Sequence, residues 1–407
     1  MELKQGSYTL QGISFQDLAK SFGTPLYIYD AGKIALQVQA LKSAFENCKI
    51  KYAAKALTNI SILKFLRSQD VGVDVVSIQE AQIAQRAGFS ADEIMFTPNC
   101  VAFDEIVEGV SMGVNMNLDN LPVLEKFGQK YGSSYPCVIR LNPNILAGGN
   151  FKISTGHTHS KFGISIQQMN EIKKIVDHYA VRVIGLHIHT GSEITDLDVF
   201  MKMADILFGF ADEFESLQFL DFGGGLKVPY RENDQETDIV ELGKRLTKAF
   251  HEFQKRTGRN LQLWMEPGKY LVSEAGYLLV KTNVVKETPA VTFAGVNSGL
   301  NQLIRPMMYD AYHDITNVSN PEGPQKAYTI VGNVCETDTF GSNRLLSEVH
   351  ENDLLVFRNA GAYGYSMASN YNSRLRPAEV MIIQGEAKLI RQRDRLEQLL
   401  EGQIDIF

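Results

Sequence analysis

The chain has 407 residues and a formal net charge of −7, with 44% hydrophobic and 21% charged residues. The acidic balance argues against nucleic acid as the main partner, because phosphate binding requires a basic face. No apolar run approaches the ~20 residues that span a bilayer, so no membrane association is predicted. The polar segment 1–10 lacks the apolar centre of a signal peptide, so we expect a cytoplasmic globular protein of two or three domains.

Residues 26–270 alternate short apolar segments of strand length with longer segments of helical periodicity. Asn59 is a candidate N-cap for the helix that follows it, and helical patterns cover 121–131 and 167–179. The predicted strands are eight: 50–53, 72–76, 94–97, 114–118, 137–141, 183–187, 219–221 and 261–265. Eight strand–helix units predict a (β/α)8 barrel, although a doubly wound sheet would give a similar alternation.

The pattern changes after residue 270. Segments 277–285, 327–332 and 353–358 are predicted strands with turn residues between them, and long helical patterns are few. The predicted fold is therefore α/β, with a (β/α)8 barrel over 26–270 followed by a mainly β C-terminal domain over 271–390. We expect residues 1–25 to pack with the β domain. The charged segment 387–407, including the tail 391–407, is predicted to be a terminal helix or mobile.

Unusual residues follow four of the predicted barrel strands. Lys55 follows the first strand, His187 and the residues up to Ser192 follow the sixth, three glycines follow the seventh, and Glu266 follows the eighth. In a barrel, the C-terminal ends of the strands share one face, where active sites lie. The sequence therefore predicts a functional site built from these residues.

Lys55 lies between alanines directly after a strand, where partial desolvation would make its amine a better nucleophile. A surface lysine at a strand end is the commoner explanation for such a residue taken alone. Gly223, Gly224 and Gly225 can leave backbone N–H groups open to a phosphate, with the Ser192 hydroxyl as a further donor. A flexible turn would also explain the glycines.

Glu266 ends a buried strand, so its carboxylate needs a partner. The pyridine nitrogen of a cofactor would serve, and so would a structural lysine or arginine. His187 and His189 form an HxH pair that could chelate a metal on one face of a strand. We find no further histidine or acid cluster with suitable spacing, so no metal is predicted. His189 is interpreted as a ring stacked on an aromatic group and His187 as a structural histidine.

Eight motifs in one order resemble those of the fold-type III pyridoxal 5′-phosphate (PLP) dependent decarboxylases, over nearly the whole chain. They are YAAKA at 52–56, SKFGI at 160–164, HIHTGS at 187–192, GGG at 223–225, EPG at 266–268, LIRP at 303–306, CETD at 335–338 and GAYG at 361–364. The resemblance implies a PLP-binding barrel followed by a β domain, which agrees with the predicted elements.

The resemblance also implies the cofactor ligands. Lys55 would form the Schiff base with PLP, His189 would stack on the pyridine ring, and Glu266 would pair with the pyridine nitrogen. The phosphate would be held by Ser192, Gly223, Gly224, Gly225, Gly268 and the hydroxyl of Tyr363. In this family an arginine usually follows Glu-Pro-Gly and touches the substrate carboxylate or the phosphate. Here Lys269 takes that place, which keeps the charge but loses the bidentate geometry.

The implied substrate is a small diamino acid. Arg305 and Tyr309 would bind its far end, Glu336 the distal ammonium, and Lys269 and Tyr363 would also contact it. An arginine fork suits a carboxylate, so meso-2,6-diaminopimelate is favoured, with lysine as the product of the last step of lysine biosynthesis. Ornithine, lysine or a carboxylated polyamine are the alternative substrates.

Cys335 would be the acid that returns a proton to Cα. In this family the cysteine reaches the active site of the neighbouring subunit, so the resemblance implies a homodimer with shared sites. An amino-acid racemase would use a tyrosine as second base and would lack the CETD motif, and a non-catalytic PLP-binding protein would resemble the barrel alone. A metal hydrolase using His187 and His189 is the remaining alternative.

Overall fold

The computed structural model describes residues 1–148 and 154–407. The strands are β1 Glu2–Lys4, β2 Ser7–Leu10, β3 Ile13–Ser14, β4 Leu26–Asp30, β5 Lys49–Ala53, β6 Gly72–Val75, β7 Ile94–Phe96, β8 Asn115–Leu118, β9 Cys137–Asn142, β10 Ile164–Ser165, β11 Val183–Ile188, β12 Phe219–Asp221, β13 Gln262–Met265, β14 Gly276–Glu287, β15 Thr292–Val296, β16 Ile315–Asn317, β17 Gln325–Val331, β18 Thr339–Ser347, β19 Leu354–Phe357, β20 Ala378–Ile383 and β21 Glu386–Arg391.

The helices are α1 Phe15–Phe22, α2 Ala31–Ala44, α3 Ile60–Ser68, α4 Ile78–Arg86, α5 Phe103–Ser111, α6 Leu121–Tyr131, α7 Met169–Tyr179, α8 Leu197–Ala211, α9 Ile239–Thr257, α10 Lys269–Val272, α11 Arg305–Tyr309 and α12 Leu396–Leu400. Each helix in the described part of the chain is too short or too polar to span a bilayer.

One compact unit comprises residues 35–228 and 235–271 and contains a closed parallel barrel. Its strand order is β9-β11-β12-β13-β5-β6-β7-β8, and pairing of β8 with β9 closes the ring. The first and last strands of the barrel sequence, β5 and β13, are neighbours, with Ile50 opposite Met265. These are the eight predicted strands, so the (β/α)8 prediction is confirmed and the doubly wound sheet is excluded.

Local sequence signals explain where the barrel helices begin. The side chain of Asn59 accepts a hydrogen bond from the Ser61 N–H, which confirms the predicted cap of α3. Asn120 caps α6 in the same way, and α6 has the predicted bounds. The helix predicted from 167 begins at Met169, because residues 166–168 form a 3-10 turn first.

The barrel interior contains a buried lysine. Lys51, on β5, is fully buried; its Nζ lies 4.8 Å from the ring centroid of Trp264 and donates to the Asp92 carbonyl at 2.9 Å. Trp264 itself packs against Phe219, with ring centroids 3.6 Å apart. Burial, followed by the charge of Lys49, lowers the pKa of Lys51 to about 7. Burial and the neighbouring charge thus favour the neutral amine, although the ring of Trp264 lies close to Nζ.

The second unit comprises residues 1–34, 229–234 and 272–407 and is mainly β. Its large sheet has the order β18-β17-β15-β14-β4-β20-β21, with β19 pairing β14 and β16. The strands predicted at 277–285, 327–332 and 353–358 are present as β14, β17 and β19. This division places Leu26–Asp30 in the β unit, whereas the sequence assigned residues 26–30 to the barrel. The predicted domain limits remain a prediction.

The end of the chain differs from its prediction. Residues 387–391, expected to be helical or mobile, belong to β21, which pairs antiparallel with β20. Gln384 and Gly385 both have positive φ, 53° and 76°, which suits a two-residue hairpin turn. The charged residues of β21 obscured this strand in the sequence. A short helix, Leu396–Leu400, follows it.

Candidate active site

The unusual residues of the barrel unit lie at the C-terminal ends of its strands. β5 ends at Ala53 and continues into a 3-10 turn, Ala54–Ala56, in which Lys55 is exposed between two buried alanines. β11 ends one residue before His189, β12 ends just before the glycines, and β13 ends just before Glu266. A Cβ at Gly268 would lie 3.1 Å from that of Ala53 and 3.3 Å from that of Ala56, so Gly268 packs closely against the turn that carries Lys55.

His187, Asp221 and Glu266 form a buried cluster. Nε2 of His187 lies 3.1 Å from Oε2 of Glu266, and both side chains are almost fully buried. One side-chain nitrogen or oxygen atom from each of the three residues lies within 4.8 Å of the other two. Among the described residues, Oε1 of Glu266 has no hydrogen-bond partner. The expectation that no acid cluster accompanies the histidines was therefore wrong, because adjacent parallel strands bring Asp221 and Glu266 beside His187.

The buried carboxyl groups of the barrel differ in the direction in which their pKa values are shifted. Burial raises the pKa of Asp221 well above its usual range, and the charge of Glu266 adds to that. Burial also raises the pKa of Asp74, which accepts a hydrogen bond from Thr97 Oγ1 at 2.7 Å. Burial alone would raise the pKa of Glu266, but His187, Lys55 and Arg140 lower it below its usual value. Glu266 therefore carries the negative charge, with one oxygen left open to a donor.

His189 is held as a neutral ring. Burial, then the charges of Lys55 and Arg140, lower its pKa well below the usual value. The Gly224 N–H donates to Nδ1 of His189 at 3.3 Å, so the neutral ring carries its proton on Nε2. A flat, uncharged ring of fixed orientation suits stacking on an aromatic group.

The three glycines are required by close packing. A Cβ at Gly224 would lie 2.5 Å from the Glu266 carbonyl oxygen, and one at Gly223 would lie 2.8 Å from Cβ of His189. Gly225 has φ +103°, which other residues rarely adopt. The Gly223 N–H donates to Asp221 Oδ1 at 2.8 Å and that of Gly224 to His189. Two of the three N–H groups therefore bind within the protein, whereas the sequence interpretation left all three open.

Lys269 lies beside an acid that the sequence interpretation missed. Its buried Nζ donates to Oε1 of Glu193 at 2.8 Å. Glu193 follows the partly buried Ser192 and has φ 65°, in the left-handed region. The lysine predicted to face the substrate or a phosphate therefore has its charge balanced by a neighbouring carboxylate.

In the β unit, the CETD motif has three exposed residues and one buried anchor. Cys335, Glu336 and Thr337 are exposed, and Asp338 is buried. Asp338 accepts hydrogen bonds from the N–H groups of Leu300 at 2.6 Å and Val334 at 3.2 Å, which fixes the loop. The motif therefore presents a thiol and a carboxylate from a rigid turn.

Arg305 begins α11 and is buried in the β unit. Its guanidinium lies 5.1 Å from the ring centroid of Tyr230, and Nη1 donates to the Ala362 carbonyl at 3.5 Å. Its Nε has no partner among the residues described. The LIRP motif thus contacts the GAYG motif, in which Tyr363 is partly buried with φ 56°. Tyr309, at the other end of α11, is also partly buried.

The predicted residues thus form one group on the barrel and another in the β unit. Sequence reasoning missed several members: Asp74, Arg140 and Glu193 in the barrel, and Tyr230, Tyr371 and Asn372 in the β unit, while Asp221 was given no role. For Asp74 and Arg140 a signal existed, since each is a charged residue inside an otherwise apolar strand. The other contacts have no local sequence signature.

Comparisons with known proteins agree with this arrangement. A family model described as "Pyridoxal-dependent decarboxylase, pyridoxal binding domain" matches residues 31–273. The chain is 35% identical to the diaminopimelate decarboxylase of Methanothermobacter thermautotrophicus, over 98% of this chain and 96% of that one. It superposes on the diaminopimelate decarboxylase of Methanocaldococcus jannaschii in complex with L-lysine with a TM-score of 0.91 and 32% identity, covering 99% and 97% of the two chains. The L-lysine complex of the Helicobacter pylori enzyme matches with a TM-score of 0.87 and 32% identity, covering 95% and 98%.

Proposed function

We propose, from the premise that this chain belongs to the pyridoxal-dependent decarboxylases and among them to the diaminopimelate decarboxylases, that it converts meso-2,6-diaminopimelate to L-lysine and CO2. This reaction is the last step of lysine biosynthesis. The observation that supports the assignment best is the full-length match to enzymes of this one activity. A metal hydrolase is not supported, because His187 and Glu266 lie within the residues that match the pyridoxal-binding domain.

The barrel residues suit PLP as the cofactor. Glu266 offers a buried, ionised carboxylate with Oε1 open, which fits a protonated ring nitrogen. The glycine loop packs directly against the backbone of Glu266 and the side chain of His189, so the three lie together at one end of the barrel. When bound, PLP supplies the electron sink that accepts the electrons left at Cα as CO2 departs.

The chain's own residues then have separate tasks. Lys55 would hold the cofactor covalently through its amine, on a turn against which Gly268 packs. His189 would stack on the ring as a neutral imidazole, and Glu266 would keep the ring nitrogen protonated. We assign the phosphate to Ser192, the Gly225 N–H, the backbone near Gly268 and the Tyr363 hydroxyl, since Gly223 and Gly224 donate within the protein.

Arg305 supports a substrate with a second carboxylate. Its Nε is buried without a partner among the described residues, and burying a guanidinium donor costs free energy unless an acceptor is supplied. The distal carboxylate of diaminopimelate supplies one, whereas ornithine and lysine do not. Tyr309 and Tyr363 complete this end of the substrate, and Glu336 binds the distal ammonium.

Cys335 returns a proton to Cα after CO2 has left. Its S–H bond breaks, and the electron pair at Cα forms the new C–H bond. We further propose a cytoplasmic homodimer in which Cys335 serves the site of the neighbouring subunit, as the family resemblance implies.

A substrate panel tests the activity. The PLP-loaded protein should release CO2 from meso-diaminopimelate with L-lysine as product, and should act at least ~100-fold less efficiently on lysine or ornithine. Borohydride should fix PLP to wild-type protein but not to Lys55→Ala. Release of CO2 from ornithine or lysine as fast as from diaminopimelate would replace the assignment with that of a related decarboxylase.

Subunit mixing tests the shared site. Neither Lys55→Ala nor Cys335→Ala alone should turn over at the wild-type rate. A random mixture should recover up to about a quarter of wild-type activity, because half of the dimers are hybrids with one intact site each. Absence of recovery after verified exchange would contradict a site shared between subunits.

A further inference from the structure

A single turn of the β unit, residues 370–374, contacts the side chains of Cys335 and Glu336 in the CETD motif. The Cys335 thiol donates to Oδ1 of Asn372 at 3.2 Å, and the Cys335 backbone N–H donates to the same oxygen at 3.1 Å. The neighbouring Tyr371 donates its hydroxyl to Oε1 of Glu336 at 2.6 Å. The thiol and the carboxylate are therefore both oriented by consecutive residues of one turn.

The turn is fixed at both ends. The Asn370 amide donates to Asp394 Oδ2 and to the Arg374 carbonyl, each at 3.0 Å. The Arg374 guanidinium donates to the Asn333 carbonyl at 3.1 Å, two residues before Cys335. This network ties the turn to the loop that it serves.

Asn372 has the left-handed conformation, with φ 54° and ψ 26°, and Ser373 follows with φ 55°. Asparagine adopts this region more readily than most residues, and glycine adopts it without strain. The conformation turns the amide oxygen toward Cys335. Both acceptor positions of that oxygen are then occupied by groups of Cys335.

We propose that Asn372 is a positioning residue that holds the Cys335 thiol in place for proton transfer to Cα, while Tyr371 orients Glu336. This inference rests on the proposed function. The Asn372 amide oxygen accepts hydrogen bonds from both the thiol and the backbone N–H of Cys335, so it limits rotation of the side chain and fixes where the sulfur lies.

Alkylation of Cys335 tests the contact without any need for turnover. PLP-loaded protein is treated with iodoacetamide, and the rate at Cys335 is measured by peptide mass spectrometry relative to exposed Cys100 in the same sample. Asn372→Gly keeps the backbone conformation and removes the acceptor, so Cys335 should react ~3–10-fold faster. Asn372→Asp keeps an acceptor and adds a negative charge that disfavours the thiolate, so Cys335 should react at least ~3-fold more slowly.

Tyr371→Phe is the matched control within the turn. It should leave the alkylation rate of Cys335 unchanged and raise KM for meso-diaminopimelate through Glu336. Asn372→Gly should instead lower kcat ~10-fold, with KM changed less than ~2-fold.

Asn372→Gly should raise the alkylation rate of Cys335 and Asn372→Asp should lower it. These opposite changes distinguish a positioning role of Asn372 from a general loss of structure. Rates within ~2-fold of wild type for both variants, or changes in the same direction, would overturn the inference. A wild-type protein that releases no CO2 would refute the proposed function instead, and the alkylation rates would still test the Asn372 contact. If Asn372→Gly fails to fold, the slower reaction of Asn372→Asp remains the test.

Discussion

Nε2 of His187 lies 3.1 Å from Oε2 of Glu266, and this contact leaves Oε1 as the only oxygen of that carboxylate without a partner among the described residues. Asp221 completes the cluster, and burial raises the pKa of its carboxyl group well above the usual range. The contact therefore lowers the pKa of Glu266 and leaves Oε1 available to a ligand.

Substitution of Glu266 should damage the cofactor site more than substitution of His187. Glu266→Gln keeps the shape but removes the charge, so kcat should fall at least ~100-fold. His187→Gln keeps a donor toward Oε2 and should cost less than ~10-fold. Steady-state rates and PLP affinity of the apo-protein give the comparison. Wild-type activity in Glu266→Gln would contradict a role for that charge.

Lys51 should make stability dependent on pH. Its folded pKa of about 7 lies below the ordinary 10.5, so between these values the unfolded chain binds a proton that the folded chain lacks. The free energy of unfolding therefore rises with pH over that interval, and the full cost of burying the charge is present below it. Lys51→Met should raise the free energy of unfolding by ~1–3 kcal/mol at pH 6, and the gain should shrink toward pH 10.

Urea denaturation at both pH values measures this effect. Lys49→Met tests the second cause, because loss of that charge should raise the pKa of Lys51 and weaken the dependence of stability on pH. An equal gain for Lys51→Met at both pH values would show that packing, and not the titration of Lys51, is responsible.

The Lys269–Glu193 ion pair should appear as a coupling free energy. Lys269→Met and Glu193→Gln should each destabilise the protein, and the double variant should lose less than the sum, by ~1–3 kcal/mol. A double-mutant cycle in urea measures this. If Lys269→Met raises KM more than ~10-fold even in the Glu193→Gln background, the lysine contacts the substrate directly, as the sequence alone suggested.

Tyr230 should influence substrate binding through Arg305. Tyr230→Leu removes the ring that lies 5.1 Å from the guanidinium, so KM for meso-diaminopimelate should rise ~3–10-fold with a smaller change in kcat. Tyr230→Phe keeps the ring and loses the hydroxyl, which contacts Ser273 at 2.9 Å, so it should stay close to wild type. Equal effects of the two substitutions would assign the role to the hydroxyl.

The barrel could be predicted because each of its strands is a separate apolar segment in the sequence. Once the eight strands were identified, the positions of Lys55, His189 and Glu266 at the C-terminal ends of the strands followed. The contact of His187 with Glu266 could not, because it depends on the register of β11, β12 and β13 and on side-chain directions that no local pattern records. The same holds for Asn372 and Cys335, which are 37 residues apart. The strand 386–391 was missed because its exposed face is charged.

The pairing of β5 with β13 has a consequence for how the protein is made. The turn that carries Lys55 follows the first barrel strand, and Glu266 follows the last, so the two become neighbours only when the ring closes. A partly synthesised chain that lacks β13 has the lysine without the carboxylate. We therefore expect productive capture of PLP to be a late event in folding, and the appearance of its absorbance during refolding should mark completion of the barrel.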